Sequence, residues 1–270
     1  MTRAPVVRGL GVISGWGRGT AALPEDARAA AAGRPVLSLG RLARDGDAWR
    51  RTTREGLIAV AAVEAALDDA GAGPGAIAGA RTALVYVTAA AYGASNRRFI
   101  EGRGGSIHFA ETAPAIVPAE VAIALGVCGP YAILLGGPPT TLRAIHHAAV
   151  LLESGACDRA LVLAVEIFEE CADLYARAGR LTAHPLVEAA ACLWLEPGRG
   201  TLHLEPGPPR RPNAALRKRL GETFSVEPLA ALDFWRQSPT RGTLELAARW
   251  RGQSTRLLWT GAMMPLAEAV

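Results

Sequence analysis

The sequence predicts an α/β fold in which a largely parallel sheet is covered by helices. Short apolar runs alternate with helical segments along residues 5–205, and this alternation is typical of parallel α/β sheets. Glycine and proline separate the segments, as they do at the ends of strands and helices. The chain has 270 residues, of which 50% are hydrophobic, so it can bury a substantial core.

Five apolar runs have the length and composition of buried strands. They cover residues 5–13, 83–88, 131–135, 159–165 and 188–195. A sixth, short run at residues 201–204 is interpreted as a hairpin partner of the last of them.

Two segments have clear helical periodicity, residues 53–70 and 140–153. In the first, apolar residues repeat at helical spacing, and Gly71 follows as a helix-ending glycine. Weaker patterns predict further helices at 25–32, 118–125 and 168–177, whereas the Gly- and Arg-rich residues 92–110 are interpreted as a loop.

Composition and charge narrow the classes of function. The formal net charge is +4, with Lys218 as the only lysine and the arginines dispersed, so no nucleic-acid partner is expected, although a weakly basic surface suits an acidic one. No apolar run is long enough for a membrane span, and residues 1–7 do not resemble a secretory signal. The cysteines form no C-x-x-C pair and are interpreted as free thiols of a cytoplasmic protein; they are Cys128, Cys157, Cys171 and Cys192.

Residues 1–205 are predicted to form one domain. Residues 206–212 hold four prolines and two arginines, which is typical of a linker. The remainder of 206–270 is a short C-terminal extension for which the sequence predicts no fold.

Six short segments, in order, resemble the β-ketoacyl synthases. They are VVRGLGVIS at 6–14, ALDDAG at 66–71, AEVAIALGVCGP at 119–130, LLESGACDRALV at 151–162, Glu166, and EAAACLWLEP at 188–197. The resemblance implies one half of a duplicated, thiolase-like fold: a five-stranded, mostly parallel sheet with helices on both faces. Residues 140–153 would then be its central buried helix.

Members of that family condense an acyl group with a malonyl group on acyl carrier protein. A cysteine at the start of the buried helix carries the acyl chain, and backbone amides hold the oxyanion. Aligned from Gly129-Pro130, this chain places Pro138 at the cysteine position. A shift of one residue gives Gly137 or Pro139, neither of which has a nucleophile. The resemblance therefore implies no catalytic residue here.

The residues around Pro138 are the candidates for substrate binding. They are Gly136, Gly137, Pro138, Thr140 and Thr141. Thr140 is expected to cap the helix, because threonine is a favoured N-cap residue. Glu166 and Glu188 are expected to have structural roles at strand ends.

In the family, the second half of the fold supplies catalytic histidines and a lysine, and no motif in this sequence matches it. H-G-T-G-T does not occur, and no histidine follows residue 205. His146 and His147 are expected in the core or an interface. His108, His184 and His203 are scattered, so neither a metal site nor a cofactor is predicted.

The leading hypothesis is a non-catalytic subunit of fatty acid or polyketide biosynthesis, similar to a chain-length factor. The alternatives are an active acyltransferase or condensing enzyme with an unorthodox nucleophile, and a decayed copy. Expected partners are a second copy or a complete ketosynthase, with acyl carrier protein as a further candidate. Strand 131–135 is apolar on both faces and would pair with the partner. Apolar tail residues are expected to cover part of the exposed surface: Phe224, Leu229, Phe234, Trp235, Leu246 and Trp250.

Overall fold

The structure is a computed structural model. It describes residues 2–40, 42, 44, 46, 49–50, 52–90, 93–103, 105, 109, 111–168, 184–207, 214–237 and 243–260. His108, Cys171, residues 208–212 of the predicted linker and all but the first residue of the predicted helix 168–177 lie outside this set.

The main sheet has eight strands. They are β1 (Thr2–Ser14), β2 (Gly17–Arg18), β4 (Thr82–Thr88), β5 (Tyr131–Leu135), β6 (Arg159–Glu166), β8 (Ala189–Pro206), β9 (Leu244–Trp250) and β10 (Gln253–Thr260), while β3 (Val36–Leu37) and β7 (Leu186–Val187) form a small second sheet. The order is β2-β1-β8-β6-β4-β5, with β10 beside β8 and β9 beside β10. The five predicted strands are all present, and β2, β9 and β10 extend them.

Strand direction confirms the mostly parallel prediction. β4 is parallel to β5 and to β6, whereas β8 is antiparallel to β1 and to β6. Among the five predicted strands only β8 reverses, so the other four run the same way.

Helices lie on both faces of the sheet. They are α1 (Ala27–Ala31), α2 (Arg54–Asp69), α3 (Gly93–Ile100), α4 (Ile116–Leu125), α5 (Pro138–Glu153), α6 (Ala214–Leu220) and α7 (Glu227–Arg236). Side chains alternate along β4: Val85 and Val87 join the cluster that contains α5, whereas Leu84 and Tyr86 join the cluster that contains α2. This alternation follows from the two-residue period of a strand and buries α5 as predicted.

The ends of α2 match the sequence signals. The Thr53 hydroxyl accepts a hydrogen bond from the Gly56 amide at 3.0 Å, which is the usual N-cap interaction. Gly71 has a φ of +62°, so it adopts the left-handed conformation that glycine favours after a helix.

Two sequence interpretations of strands and loops are wrong. Residues 201–204 are not a hairpin partner of 188–195, because they continue β8 and pair with β1 and β10, Leu202 lying opposite both Thr2 and Trp259. Gly198 permits this continuation, since a Cβ there would meet the Ala4 carbonyl oxygen. Within the predicted loop 92–110, Gly93–Ile100 form helix α3.

The C-terminal residues are tied closely to the N-terminal sheet. The Trp16 indole donates to the Leu220 carbonyl at 2.8 Å, and the Trp259 indole donates to the Pro5 carbonyl at 3.2 Å. Of the tail residues expected to cover apolar surface, Leu229 and Leu246 are buried in the same cluster as α5. Phe234 is still 39% exposed.

The helices of the described ranges are each too short or too polar to cross a bilayer.

Candidate functional site at the start of helix α5

The five candidate residues come together where β5 ends and α5 begins. Gly137 is the N-cap and Pro138 is the first helical residue, a position where proline is favoured because its fixed φ suits the helix. The predicted N-cap role of Thr140 is therefore wrong: Pro138 starts the helix two residues earlier. The Thr140 amide donates to the Gly137 carbonyl at 2.9 Å.

Hydroxyl chemistry at this junction is limited by existing contacts. The buried Thr141 hydroxyl donates to the Ser225 carbonyl at 2.6 Å, so its proton already has a partner. A Cβ on Gly136 would collide with the Thr140 hydroxyl, which shows how closely Thr140 folds back on the preceding turn. A substrate-binding role for these residues stays a prediction.

Glu166, at the end of β6, is a fully buried carboxylate that joins three parts of the chain. It accepts hydrogen bonds from the Ala89 amide at 2.7 Å and the Ala90 amide at 3.0 Å, both just after β4. It also accepts from the Ser225 amide at 3.2 Å and the Ser225 hydroxyl at 2.5 Å. Burial raises the pKa of Glu166 to about 7, and the hydrogen bonds oppose that rise.

Three aromatic side chains pack beside this carboxylate and the start of α5. Phe168, Phe224 and Trp250 form the aromatic cluster. The Phe224 ring lies edge-on to Phe168 at 5.2 Å and to Trp250 at 4.8 Å between centroids, the geometry that aromatic pairs prefer. The Trp250 ring covers Gly137: a Cβ on Gly137 would lie 2.5 Å from it.

Sequence reasoning missed this cluster, because its members are far apart in the chain. One signal was available. The residues after 243 predict a hairpin. Apolar residues alternate at Leu244, Leu246 and Ala248, Arg251-Gly252 suits a turn, and the alternation resumes from Thr255. The hairpin brings Trp250 to the junction.

Glu188 has the structural role that was expected of it. It is fully buried and accepts from the amides of Leu39 and Phe168, each at 2.8 Å. It also forms an ion pair with Arg54 at 2.5 Å. These contacts hold the loop before α2 and the end of β6 in place, so Glu188 stabilises the elements that surround the site.

A second apolar region lies on the outer side of β5. We call it the α4–β5 face; its exposed members are Ile123 on α4 (83% exposed) and Tyr131 and Leu135 on β5 (72% and 52%). Beside them is a groove of about 430 Å³, lined by Leu84, Ala115, Pro118, Ala119, Ala122, Val127, Cys128, Gly129 and Tyr131.

Helix α4 has the composition of a helix buried on all sides. Glu120 is its only polar residue, and the Glu120 carboxylate accepts from the Thr53 amide at 2.8 Å and hydroxyl at 2.5 Å. The exposed Ala119 and Ile123 therefore present apolar surface to water. A helix with no polar face is normally covered on every side.

A family model described as the β-ketoacyl synthase N-terminal domain matches residues 47–184, about half of the chain. The chain belongs to the β-ketoacyl synthase family. The matched region of this β-ketoacyl synthase relative includes β4, β5, α5 and β6, and therefore the whole junction around Pro138. The family assignment made from the six sequence segments is confirmed.

Solved structures with similar folds include ketosynthases and their complexes. The ishigamide ketosynthase/chain length factor has a TM-score of 0.72 and 15% identity, covering 95% of this chain and 99% of that one. The AntDE:AntF complex, a type II polyketide acyl-carrier protein with its ketosynthase, has a TM-score of 0.74 and 15% identity, covering 97% and 100%. The ketosynthase ApeO with its chain length factor ApeC, from Xenorhabdus doucetiae, has a TM-score of 0.61 and 14% identity, covering 95% and 99%.

At these identities the likeness concerns the fold, and it confirms the thiolase-like prediction. A search of curated proteins found no match.

Proposed function

We propose that this β-ketoacyl synthase relative is a non-catalytic partner subunit in polyketide or fatty acid assembly, similar to a chain-length factor. One observation carries the proposal: Pro138 is the first residue of α5, where the family pattern places the nucleophilic cysteine. Proline supplies neither a nucleophile nor an amide proton.

The start of α5 also lacks the amides that would hold an oxyanion. The first two helical residues, Pro138 and Pro139, have no N–H group. The third helical residue, Thr140, has an N–H group, but it donates to the Gly137 carbonyl. Loss of a single oxyanion donor costs about 3 kcal/mol of transition-state stabilisation. Pro138→Cys would restore a thiol and one amide, but Pro139 would still lack its N–H group, and the sequence has no counterpart of the family's catalytic histidines after residue 205.

The α4–β5 face supports the partner role. Within the described sheet β5 pairs with β4 alone, and its other edge carries no charged side chain. An uncharged apolar edge is a template for pairing with another chain, and contiguous apolar patches of this kind mark interaction sites. The partner in this proposal is a complete ketosynthase or a second copy of the chain, with acyl carrier protein as a further candidate.

The catalytic half of the proposal is tested by mass spectrometry after incubation with acyl and malonyl carrier-protein substrates. A complete ketosynthase treated in parallel is the positive control. We expect no acyl adduct and no condensation product from the wild type, and no condensation from Pro138→Cys. A stable acyl adduct on any residue from 136 to 141 would overturn the proposal.

A further inference from the structure

The β9–β10 hairpin places its tip over the start of α5. Arg251 and Gly252 form the turn with φ values of +47° and +83°, and Trp250 directly precedes them. The half-buried Trp250 ring lies against the backbone of Gly137 so closely that no Cβ fits between them. The hairpin therefore holds an indole beside the residue that precedes Pro138.

Phe224 supports the indole from a strained backbone position. Its φ is +44°, a left-handed conformation that costs a non-glycine residue about 1–3 kcal/mol and persists only when the surroundings enforce it. Two neighbouring contacts enforce it here. Glu166 binds both the amide and the hydroxyl of Ser225, and the Thr141 hydroxyl binds the Ser225 carbonyl.

The two side chains that bind Ser225 belong to the same elements that form the candidate site. Glu166 ends β6, and Thr141 belongs to the first turn of α5. Phe168, which follows β6, is fully buried and packs on Phe224. The space beside Gly137, the residue before Pro138, is thus filled by the Trp250 ring, and Phe224 packs behind it.

We infer that Trp250 and Phe224 form a built-in plug, which fills the space where an acyl chain held at the start of α5 would have to lie. The inference rests on the proposed function, since it takes position 138 as the family's acyl-carrying position. It adds that the chain's own C-terminal hairpin excludes apolar acyl groups from this position, so any acyl chain handled by an assembly would lie in the partner.

The test measures access to position 138 directly. Pro138→Cys is made in a Cys128→Ser background, because Cys128 is the exposed thiol among the described cysteines. Labelling by monobromobimane is timed and assigned by peptide mass spectrometry. With the plug intact, we expect the thiol introduced by Pro138→Cys to react at least ~100-fold more slowly than Cys128 of the wild type, as for a site that reacts only on local opening.

Removing the indole should open the site. Trp250→Gly added to Pro138→Cys is expected to accelerate labelling at 138 at least ~10-fold, whereas Arg251→Ala, which alters the same turn but keeps the indole, should leave the rate within ~2-fold. Near-UV circular dichroism checks the fold; if Trp250→Gly unfolds the protein, Trp250→Leu replaces it, with an expected acceleration of ~3-fold or more.

Two results would overturn the plug. One is rapid labelling at 138 with Trp250 in place, and the other is unchanged protection after the indole is removed from a folded protein. Either result would leave the non-catalytic proposal standing, because that proposal depends on the absence of acyl transfer by the wild type.

Discussion

Two apolar regions flank β5, and the chain treats them in opposite ways. The aromatic cluster at the end of the strand is closed by the chain's own tail: Phe168 is fully buried and Trp250 covers Gly137. The α4–β5 face at the side of the strand is left open, with Ile123 and Tyr131 largely exposed. Under the proposed function, this contrast means that the family's acyl-carrying position is closed in this chain, while a surface for association is kept.

A comparison of β5 with another edge strand, β9, points the same way. β9 ends the branch that leaves β8 through β10, and its outward-facing residues include the exposed Glu245 and Arg249. Charged side chains are a common protection against unwanted pairing of edge strands. β5 has the sequence Tyr-Ala-Ile-Leu-Leu and has no such protection, so under the proposed function it is the edge that would pair with a partner.

The largest expected effect is a difference in stability between variants of the aromatic cluster and variants of the α4–β5 face. Phe168→Ala should lower the free energy of unfolding by about 3–5 kcal/mol, because it leaves a cavity beneath the aromatic cluster. Ile123→Ala on the α4–β5 face is the matched control, with a change within about 0.5 kcal/mol for the monomer. Urea unfolding of dilute protein measures both. Equal losses would contradict the distinction between the two regions.

The next effect is the pH dependence of stability that comes from Glu166, the buried carboxylate beside the aromatic cluster. The pKa of Glu166 is raised by burial to about 7, so its stabilising contribution is complete below its unfolded-state pKa and is lost as pH rises through about 7. Glu227 acts in the same direction, because burial raises its pKa to about 6 against the influence of Arg217. From pH 4.5 to 8, the wild type should lose about 3 kcal/mol relative to Glu166→Gln.

Urea unfolding at several pH values measures this difference. Glu245→Gln, on the exposed side of β9, is the control and should keep the pH dependence of the wild type. A stability difference between wild type and Glu166→Gln that stays constant from pH 4.5 to 8 would show that the buried carboxylate does not titrate in this range.

A smaller effect on stability tests the contact between Gly137 and the Trp250 ring. Gly137→Ala should destabilise the protein by about 1–3 kcal/mol, because the new methyl group overlaps the Trp250 ring. In the Trp250→Gly background the same substitution should cost less than about 0.5 kcal/mol, since the overlap is gone. Additive losses in this double-mutant cycle would mean that the indole does not lie on Gly137 in solution.

Local sequence patterns predicted the frame of the fold well, and contacts between distant segments explain what they missed. The periodicity of α2 and the five apolar runs indicated elements that the structure contains. Pro197-Gly198 has the composition of a turn, yet close approach to β1 keeps it within β8. Thr140 has the chemistry of an N-cap, but Pro138 begins the helix earlier.

The candidate site was predicted only in part for the same reason. The junction 136–141 follows from its place in the family pattern. The aromatic cluster over the junction does not, because Phe224, Ser225 and Trp250 are held there by contacts with residues more than 50 positions away. Such contacts leave no local periodicity in a single sequence.

The central claim is that the chain is a partner subunit that associates through the α4–β5 face, and sedimentation velocity at micromolar concentration tests it most directly. The wild type, alone and co-expressed with a complete ketosynthase, should sediment as a dimer or a heterodimer. The Tyr131→Arg/Leu135→Arg variant should lose at least ~10-fold in affinity, whereas Ala247→Arg, a matched charge on edge strand β9, should associate as the wild type does. A wild-type protein that remains monomeric and does not bind the ketosynthase would contradict the account.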